Sequence, residues 1–408
     1  MLPMGDLSLS RPSPPEPYIR WPGAVLHGGP DYAELARLGL RADDLLDFSV
    51  NSNPLGPSPL ALRALAAVDP SRYPDREALR LRTALADLHG VRPDEVLVGN
   101  GCVELIHLLG QVYLRPGDVA LVVGPTFGEY EAAARRQGAE TVVFRAAAAD
   151  NFEPRLEALL ALIQATRPRL LFLCNPNNPT GRALGVGDLA ALLAACDEAL
   201  LVVDEAYIDF VDDRRPGPRS SACPEHSERI GPPACPEPRP ELAEWLAEGS
   251  VLESALALRG DRRVVVLRSL TKNFGLAGLR LGYAVAAPQV VEALGRAQPP
   301  WSVNALAQAA GLAALGDDEH LSAGRRLADE AKAYLVDGLG RLGLPCLPSR
   351  TNFWLVEIGD AAGLRRRLLP RGILVRDCAS FGLPRHIRLA ARPLPECERL
   401  LEAIADLA

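Results

Sequence analysis

The residues best suited to chemistry gather in one stretch, residues 268–283. Lys272 stands there between Ser269 and Arg280, with Thr271 beside it and glycines at 275, 278 and 282. The glycines let the backbone turn tightly and approach a bound molecule. A lysine amine condenses with aldehydes, and a neighbouring hydroxyl and guanidinium hold phosphate. Pyridoxal phosphate, an aldehyde carrying a phosphate ester, needs both groups at once, and it also needs an acidic partner for its ring nitrogen. Taken alone, the lysine reads more simply as a surface residue in a glycine-rich loop. The other motifs reverse that reading.

Three of them follow apolar runs. Asp204-Glu-Ala-Tyr207 ends the run 200–203, and a carboxylate at the end of a buried strand is costly without a partner; a pyridinium nitrogen or an ordinary salt bridge would both serve. Asn175-Pro-Asn-Asn-Pro-Thr-Gly181 makes a rigid turn that aims the Asn178 amide, or is a polar turn with no ligand. Gly99-Asn-Gly-Cys102 opens a helix, whose first backbone N–H groups form an anion cup or simply a strand–helix turn.

The elements that must position these residues alternate. Strand-like runs at 96–98, 119–123, 141–144, 170–174, 200–203 and 264–267 are interleaved with helical ones at 103–112, 128–137, 155–164 and 186–195. Such alternation implies an α/β fold with a mostly parallel sheet, and ligands then bind at the carboxyl ends of the strands. Helical runs at 302–315 and 321–342, then strands at 353–358, 373–376 and 387–390, predict a smaller C-terminal α/β domain over 302–408. Residues 54–301 form the large domain, and 21–53 an N-terminal segment that packs with the small one. Residues 1–20, proline-rich and without an apolar signal core, read as a disordered leader, and 213–244, dense in Pro, Arg, Ser and Glu, as a mobile insertion. Cys223, His226 and Cys235 inside the insertion are too few for a metal site, so no metal is expected. A net charge of −7 gives no sign of a nucleic-acid partner, and no run reaches the length of a membrane span. Eight scattered cysteines without a Cys-x-x-Cys pair suggest reduced thiols in the cytosol.

Asn178-Pro-Thr-Gly181, Asp204-x-x-Tyr207, Ser269-x-x-Lys272 and Arg280, in that order, resemble the fold-type I pyridoxal-phosphate enzymes of the class I/II aminotransferase superfamily. The resemblance runs from about residue 21 to the end, apart from the insertion. It implies that Lys272 binds the cofactor aldehyde and later moves the proton, that Asp204 keeps the ring nitrogen protonated, and that Asn178 and Tyr207 hydrogen-bond the ring's phenolic oxygen. Phe127 would stack on the ring. Gly101, Cys102, Ser269 and Arg280 would hold its phosphate, and Tyr73 would reach the phosphate in a neighbouring subunit, which implies a homodimer with shared sites. Arg388 would grip the substrate carboxylate.

Within the superfamily, His27-Gly-Gly29, Leu46-Asp-Phe-Ser49, Asn51, Asn53-Pro-Leu-Gly56, Pro300-Trp-Ser-Val-Asn-Ala305 and residues 373–378 look more like the L-threonine-O-3-phosphate decarboxylases of cobalamin biosynthesis. Tyr207 and residues 273–278 depart toward the histidinol-phosphate aminotransferases. The resemblance therefore implies decarboxylation of threonine phosphate to aminopropanol phosphate first, transamination of histidinol phosphate with 2-oxoglutarate as the alternative, and a non-catalytic binding protein on the same fold as a third reading. Charge supports a phosphorylated amino-acid substrate in either enzyme: Arg376 and Arg388, on neighbouring strands, provide one guanidinium for carboxylate and one for phosphate, with His27 and Asn51 adding donors.

Overall fold

The computed structural model describes residues 27–211 and 252–407. The expected leader at 1–20 and the insertion at 213–244, with Cys223, His226 and Cys235, lie outside the described residues.

Seven strands make the central sheet: β2 (Val96–Gly99), β3 (Val119–Gly124), β4 (Glu140–Arg145), β5 (Leu170–Cys174), β6 (Leu200–Asp204), β7 (Val264–Ser269) and β8 (Gly282–Ala286). Their spatial order is β2-β8-β7-β6-β5-β3-β4, and only β8 runs antiparallel to its neighbours. The runs are apolar throughout because both faces of the sheet are covered. Leu121, Leu171, Leu201 and Val266 point into one cluster, while their chain neighbours Val122, Phe172, Val202 and Val265 point into the other.

A second, three-stranded antiparallel sheet is built from β9 (Phe353–Glu357), β11 (Arg376–Asp377) and β12 (His386–Ala390), and β1 (Leu46–Asp47) pairs in parallel with β10 (Ile373–Leu374). The run 373–376, expected as one strand, is thus divided at Val375 between two sheets: Leu374 lies against Asp47, and Arg376 lies opposite Arg388. Phe48 joins Trp354, Leu335 and Ile387 in the core of this C-terminal lobe, so residues 46–48 are part of it by pairing and by packing. No helix among the described residues is long and apolar enough to cross a membrane.

Lys272 was expected in a loop; it sits on a one-turn helix, Leu270–Asn273, at the carboxyl end of β7. Ser269 starts that turn by accepting a hydrogen bond from the Thr271 amide, 3.3 Å, and shares one of 2.6 Å with the Thr271 hydroxyl. The Asn53-Pro-Leu-Gly56 segment clamps the far side. The Asn53 amide donates to the Lys272 carbonyl at 2.8 Å, and Asn53 Nδ2 donates to the Asn273 carbonyl at 2.9 Å. Buried Asn273 in turn donates to Asp209. Gly275 closes the turn with φ +67°, and a Cβ there would lie 2.4 Å from the Gly56 carbonyl carbon. Gly275→Ala therefore combines a left-handed backbone with a backbone clash and should destabilise the protein by about 2 kcal/mol or more in denaturant unfolding. Wild-type stability in that variant would mean that the clamp is loose.

Candidate active site

The carboxyl ends of β5, β6 and β7 meet under a cavity of about 710 Å³ whose walls include Lys272, Arg280, Asn178, Tyr207, Phe127, Asn51, His27, Arg376 and Arg388. Residues from widely separated parts of the chain are brought together here. Asp204 lies buried at the end of β6, in register with Cys174 on one side and Leu267 on the other. Its Oδ2 accepts from the Tyr130 hydroxyl at 2.8 Å and its Oδ1 from the Ala206 amide at 3.0 Å. Burial lifts its pKa to about 6, the Tyr130 and Ala206 hydrogen bonds opposing. The Lys272 amine is pushed the other way, to about 8, by burial first and then by the Arg388 and Arg280 charges. It is thereby released as a free-amine nucleophile close to neutral pH.

At one wall of the cavity, Gly101 opens the helix Gly101–Tyr113 with φ +77°, and a Cβ there would stand 3.0 Å from Arg280 Nη2. A side chain at 101 would fill the space between the helix N-terminus and the guanidinium, the two anion-attracting groups of this wall. Cys102 follows; its thiol donates to the Arg268 carbonyl at 3.2 Å, and its amide lies under Gly282. Burial drives that thiol well above the ordinary range, so it stays protonated beside the cup.

Arg388, also on the cavity wall, is buried. It donates to Asn178 Oδ1 and, at 2.6 Å, to the Ser49 carbonyl, which leaves the Asn178 amide nitrogen free to donate into the cavity. Arg376, its cross-strand neighbour, donates to Ser380 Oγ at 2.7 Å and to the His27 carbonyl at 3.2 Å. Tyr207 is buried edge-on against Phe353, and its hydroxyl accepts a long, 3.4 Å hydrogen bond from Asn51. His27 lies 5.5 Å from Phe127, ring to ring. Tyr73 is elsewhere: it is 81% exposed, stacks on Trp301 at 4.9 Å and does not line this cavity.

Several functional neighbours escaped the sequence reading. Tyr130, the partner of Asp204, lies in the first turn of the helix Glu129–Arg136, and no spacing in the sequence marks it. Glu129 was not singled out either; it holds His27 at 2.9 Å and His107 at 2.8 Å, and those two hydrogen bonds drop its carboxyl to about 2. The buried Arg268–Glu205 ion pair, 2.9 Å, beneath β7 has no local signature at all.

The family model for aminotransferase class I and II matches residues 43–404. The chain belongs to the class I and II aminotransferase family. The histidinol-phosphate aminotransferase of Symbiobacterium thermophilum is 40% identical over 371 residues, covering 90% of this chain and 91% of that one. The solved histidinol-phosphate aminotransferase of Sinorhizobium meliloti, in complex with pyridoxal-5'-phosphate, superposes with a TM-score of 0.77 at 26% identity, over 94% of this chain and 96% of that one. The L-threonine-O-3-phosphate decarboxylase of Porphyromonas gingivalis does so with 0.70 at 25% identity, over 88% and 98%. This chain is a pyridoxal-phosphate-dependent enzyme, and the non-catalytic reading falls.

The residues present fit that cofactor. Asp204 is a buried carboxylate without a salt bridge among the described residues, the Gly101–Arg280 wall is open to an anion, and Asn51 Oδ1 and Arg388 Nε are buried without partners. Lys272 and one other lysine, Lys332, are the only two in the chain, and Lys332 is buried elsewhere, donating to the Ser349 and Thr351 carbonyls at 3.1 Å.

The raised Asp204 pKa carries a sign. A group whose folded pKa is raised costs no stability below its unfolded value of 3.8; the cost grows as pH rises from there to about 6 and is full above it. Asp204→Asn should therefore stabilise the cofactor-free protein at pH 8, by on the order of 2–3 kcal/mol, and not at pH 3.5. Thermal unfolding at the two pH values checks this; equal effects at both would show that Asp204 is not ionising in a desolvated site.

Proposed function

We propose that the protein is a histidinol-phosphate aminotransferase, moving an amino group between histidinol phosphate and 2-oxoglutarate. The 40% identity to a histidinol-phosphate aminotransferase along nine-tenths of both chains carries this reading, and it reverses the order of preference drawn from the short motifs. The cross-strand pair Arg376 and Arg388 supports it by putting two guanidinium groups over one end of the cavity, where a phosphate or a carboxylate head would be held. One observation favours decarboxylation of threonine phosphate as a second reading: Arg376, held by the His27 carbonyl at 3.2 Å, stands across the strand pair from Arg388, so one substrate carrying both a phosphate and a carboxylate would be held at two guanidinium groups.

The bound cofactor supplies an electron sink for the bond broken at the substrate's α-carbon. The chain does the rest. Asp204, kept in place by Tyr130, would pair with the ring nitrogen and hold it protonated. Asn178 and Tyr207 would donate to the phenolic oxygen, Phe127 would cover the ring, and Gly101, Cys102, Ser269 and Arg280 would receive the phosphate. Lys272, once free, is the base and acid that takes a proton from, or returns it to, the α-carbon. Arg388 would fix the substrate head and so orient the α-carbon toward Lys272. We place the working form as a cytosolic homodimer in which Tyr73, with Trp301, Leu79 and Leu62 exposed on the same chain, reaches the partner's phosphate.

Purified enzyme given histidinol phosphate and 2-oxoglutarate should form glutamate; release of CO2 from threonine phosphate, with no glutamate formed, would overturn the reading. Arg388→Lys should cut kcat/KM about a hundredfold, because an ammonium cannot replace the guanidinium fork toward both Asn178 and the substrate. A change under threefold in steady-state assays would remove Arg388 from the head site.

A further inference from the structure

We infer that Glu129, a buried carboxylate behind the cavity wall, is a positioning residue that fixes the His27 ring for contact with the substrate phosphate, a deepening that rests on the histidinol-phosphate reading above. Glu129 is the first residue of the helix Glu129–Arg136 and does not line the cavity, whereas His27 does. Its Oε1 accepts from His27 Nε2 at 2.9 Å and its Oε2 from His107 Nε2 at 2.8 Å. The His107 hydrogen bond first and the His27 one next drop the carboxyl to about 2, so at neutral pH both oxygens only accept. Each histidine must then donate through Nε2. For His27 that leaves Nδ1 as the ring nitrogen open to a ligand, and Nδ1 has no hydrogen bond among the described residues.

The ordinary alternative is a structural carboxylate. An acid is favoured at the start of a helix, and the His107 contact ties that helix to Gly101–Tyr113. Both purposes are met by His107 alone, which also has Arg136 Nη1 3.3 Å from its ring nitrogens. His27 comes from a separate segment and joins no helix to another. Its backbone is fixed by other means: the His27 carbonyl accepts from Arg376 Nη1 at 3.2 Å, and the Gly29 amide donates to Ser49 Oγ at 2.8 Å. A Cβ at Gly28 would stand 2.5 Å from the Ser49 carbonyl oxygen and 3.3 Å from Arg388 Nη2. The segment thus lies against both guanidinium groups of the head. The half-exposed His27 ring still has its own side-chain torsions, and Glu129 is what stops them.

The two exchanging substrates differ at the head. Glutamate presents a carboxylate, which one guanidinium fork satisfies; histidinol phosphate presents a larger anion with more acceptor oxygens. A phosphate monoester, with a second ionisation at about 6, arrives with or without its last hydrogen. Nδ1 accepts that hydrogen or donates it back, and the Glu129 carboxylate balances the imidazolium in the second case.

The test compares histidinol phosphate with histidinol, which lacks only the phosphate, in steady-state reactions of the holoenzyme with 2-oxoglutarate. In Glu129→Gln the side chain keeps its size, but one oxygen becomes an N–H donor and only one histidine keeps its acceptor. For that variant kcat/KM toward histidinol phosphate should fall about tenfold, through KM rather than kcat, and that toward histidinol should stay as in the wild type. His27→Phe should show the same fall, and adding Glu129→Gln to it should cost nothing more, because one hydrogen bond is removed twice. His107→Asn, which breaks only the contact between helices, should lower thermal stability and keep the preference for the phosphate ester. Equal falls for both substrates, additive losses in the double variant, or a preference lost in His107→Asn overturns the inference.

If Glu129→Gln does not fold, histidine-selective nitrogen NMR of the wild-type holoenzyme decides. The chain has six histidines, and the His27 signal is the one missing in His27→Phe. It should show a hydrogen on Nε2 and respond at Nδ1 to histidinol phosphate but not to histidinol; no hydrogen on Nε2, or no such response, overturns the inference. Wild-type enzyme that decarboxylates threonine phosphate and ignores histidinol phosphate overturns the substrate reading, and the same ratio is then read with threonine phosphate against threonine. Wild-type enzyme that prefers neither phosphate ester to its parent overturns both.

Discussion

The site depends on one desolvation. Asp204 and Lys272 come out of water together at the carboxyl end of an apolar sheet, and loss of solvent pulls both toward their neutral forms, the acid to about 6 and the amine to about 8. Neither shift stabilises the bare protein. Each makes the position receptive: the acid to a cationic ring nitrogen, the amine to an aldehyde. The rest of the architecture keeps these two groups dry and aimed.

The aim comes from bonds that never touch a ligand. Lys272 rides on a single helical turn, too short to hold itself. Ser269 caps it from the strand, Asn53 pins two of its carbonyls from the N-terminal segment, and Asp209 anchors Asn273 from below. Arg268 extends that support to Glu205, 2.9 Å away and adjacent to Asp204 in the chain, so one buried network backs both the acid and the lysine. The setting of Arg388 has the same character. Arg388 is fixed by Asn178 from the large domain and Ser49 from the N-terminal segment, so its position depends on three parts of the chain meeting correctly.

Much of this was legible in the sequence wherever a single element carried the signal. The bounds of β5, and a β6 ending at the motif acid, followed from unbroken apolar runs, because a sheet covered on both faces leaves no polar interruptions. The pairing of a strand near Asp47 with the run at 373 was beyond reach, since a parallel contact across more than three hundred residues leaves no local pattern; for the same reason residues 373–376 read as one strand rather than two. Tyr130 and Glu129 were missed because their value lies in what they touch, Asp204 in one case and two histidines in the other, and not in their spacing. The choice between transamination and decarboxylation was drawn the other way from short motifs than from identity along the whole chain. Several of those motifs, Asn53-Pro-Leu-Gly56 among them, do structural work that either reaction needs.

The central claim is that Lys272 is the residue that receives the cofactor, and the chain's near lack of lysine makes it unusually direct to test. Holoenzyme reduced with borohydride and digested should yield one pyridoxyl-modified peptide, the one containing Lys272, with a stoichiometry near one per chain. Label on Lys332 or on the N-terminal amine, with Lys272 unmodified, would contradict the account.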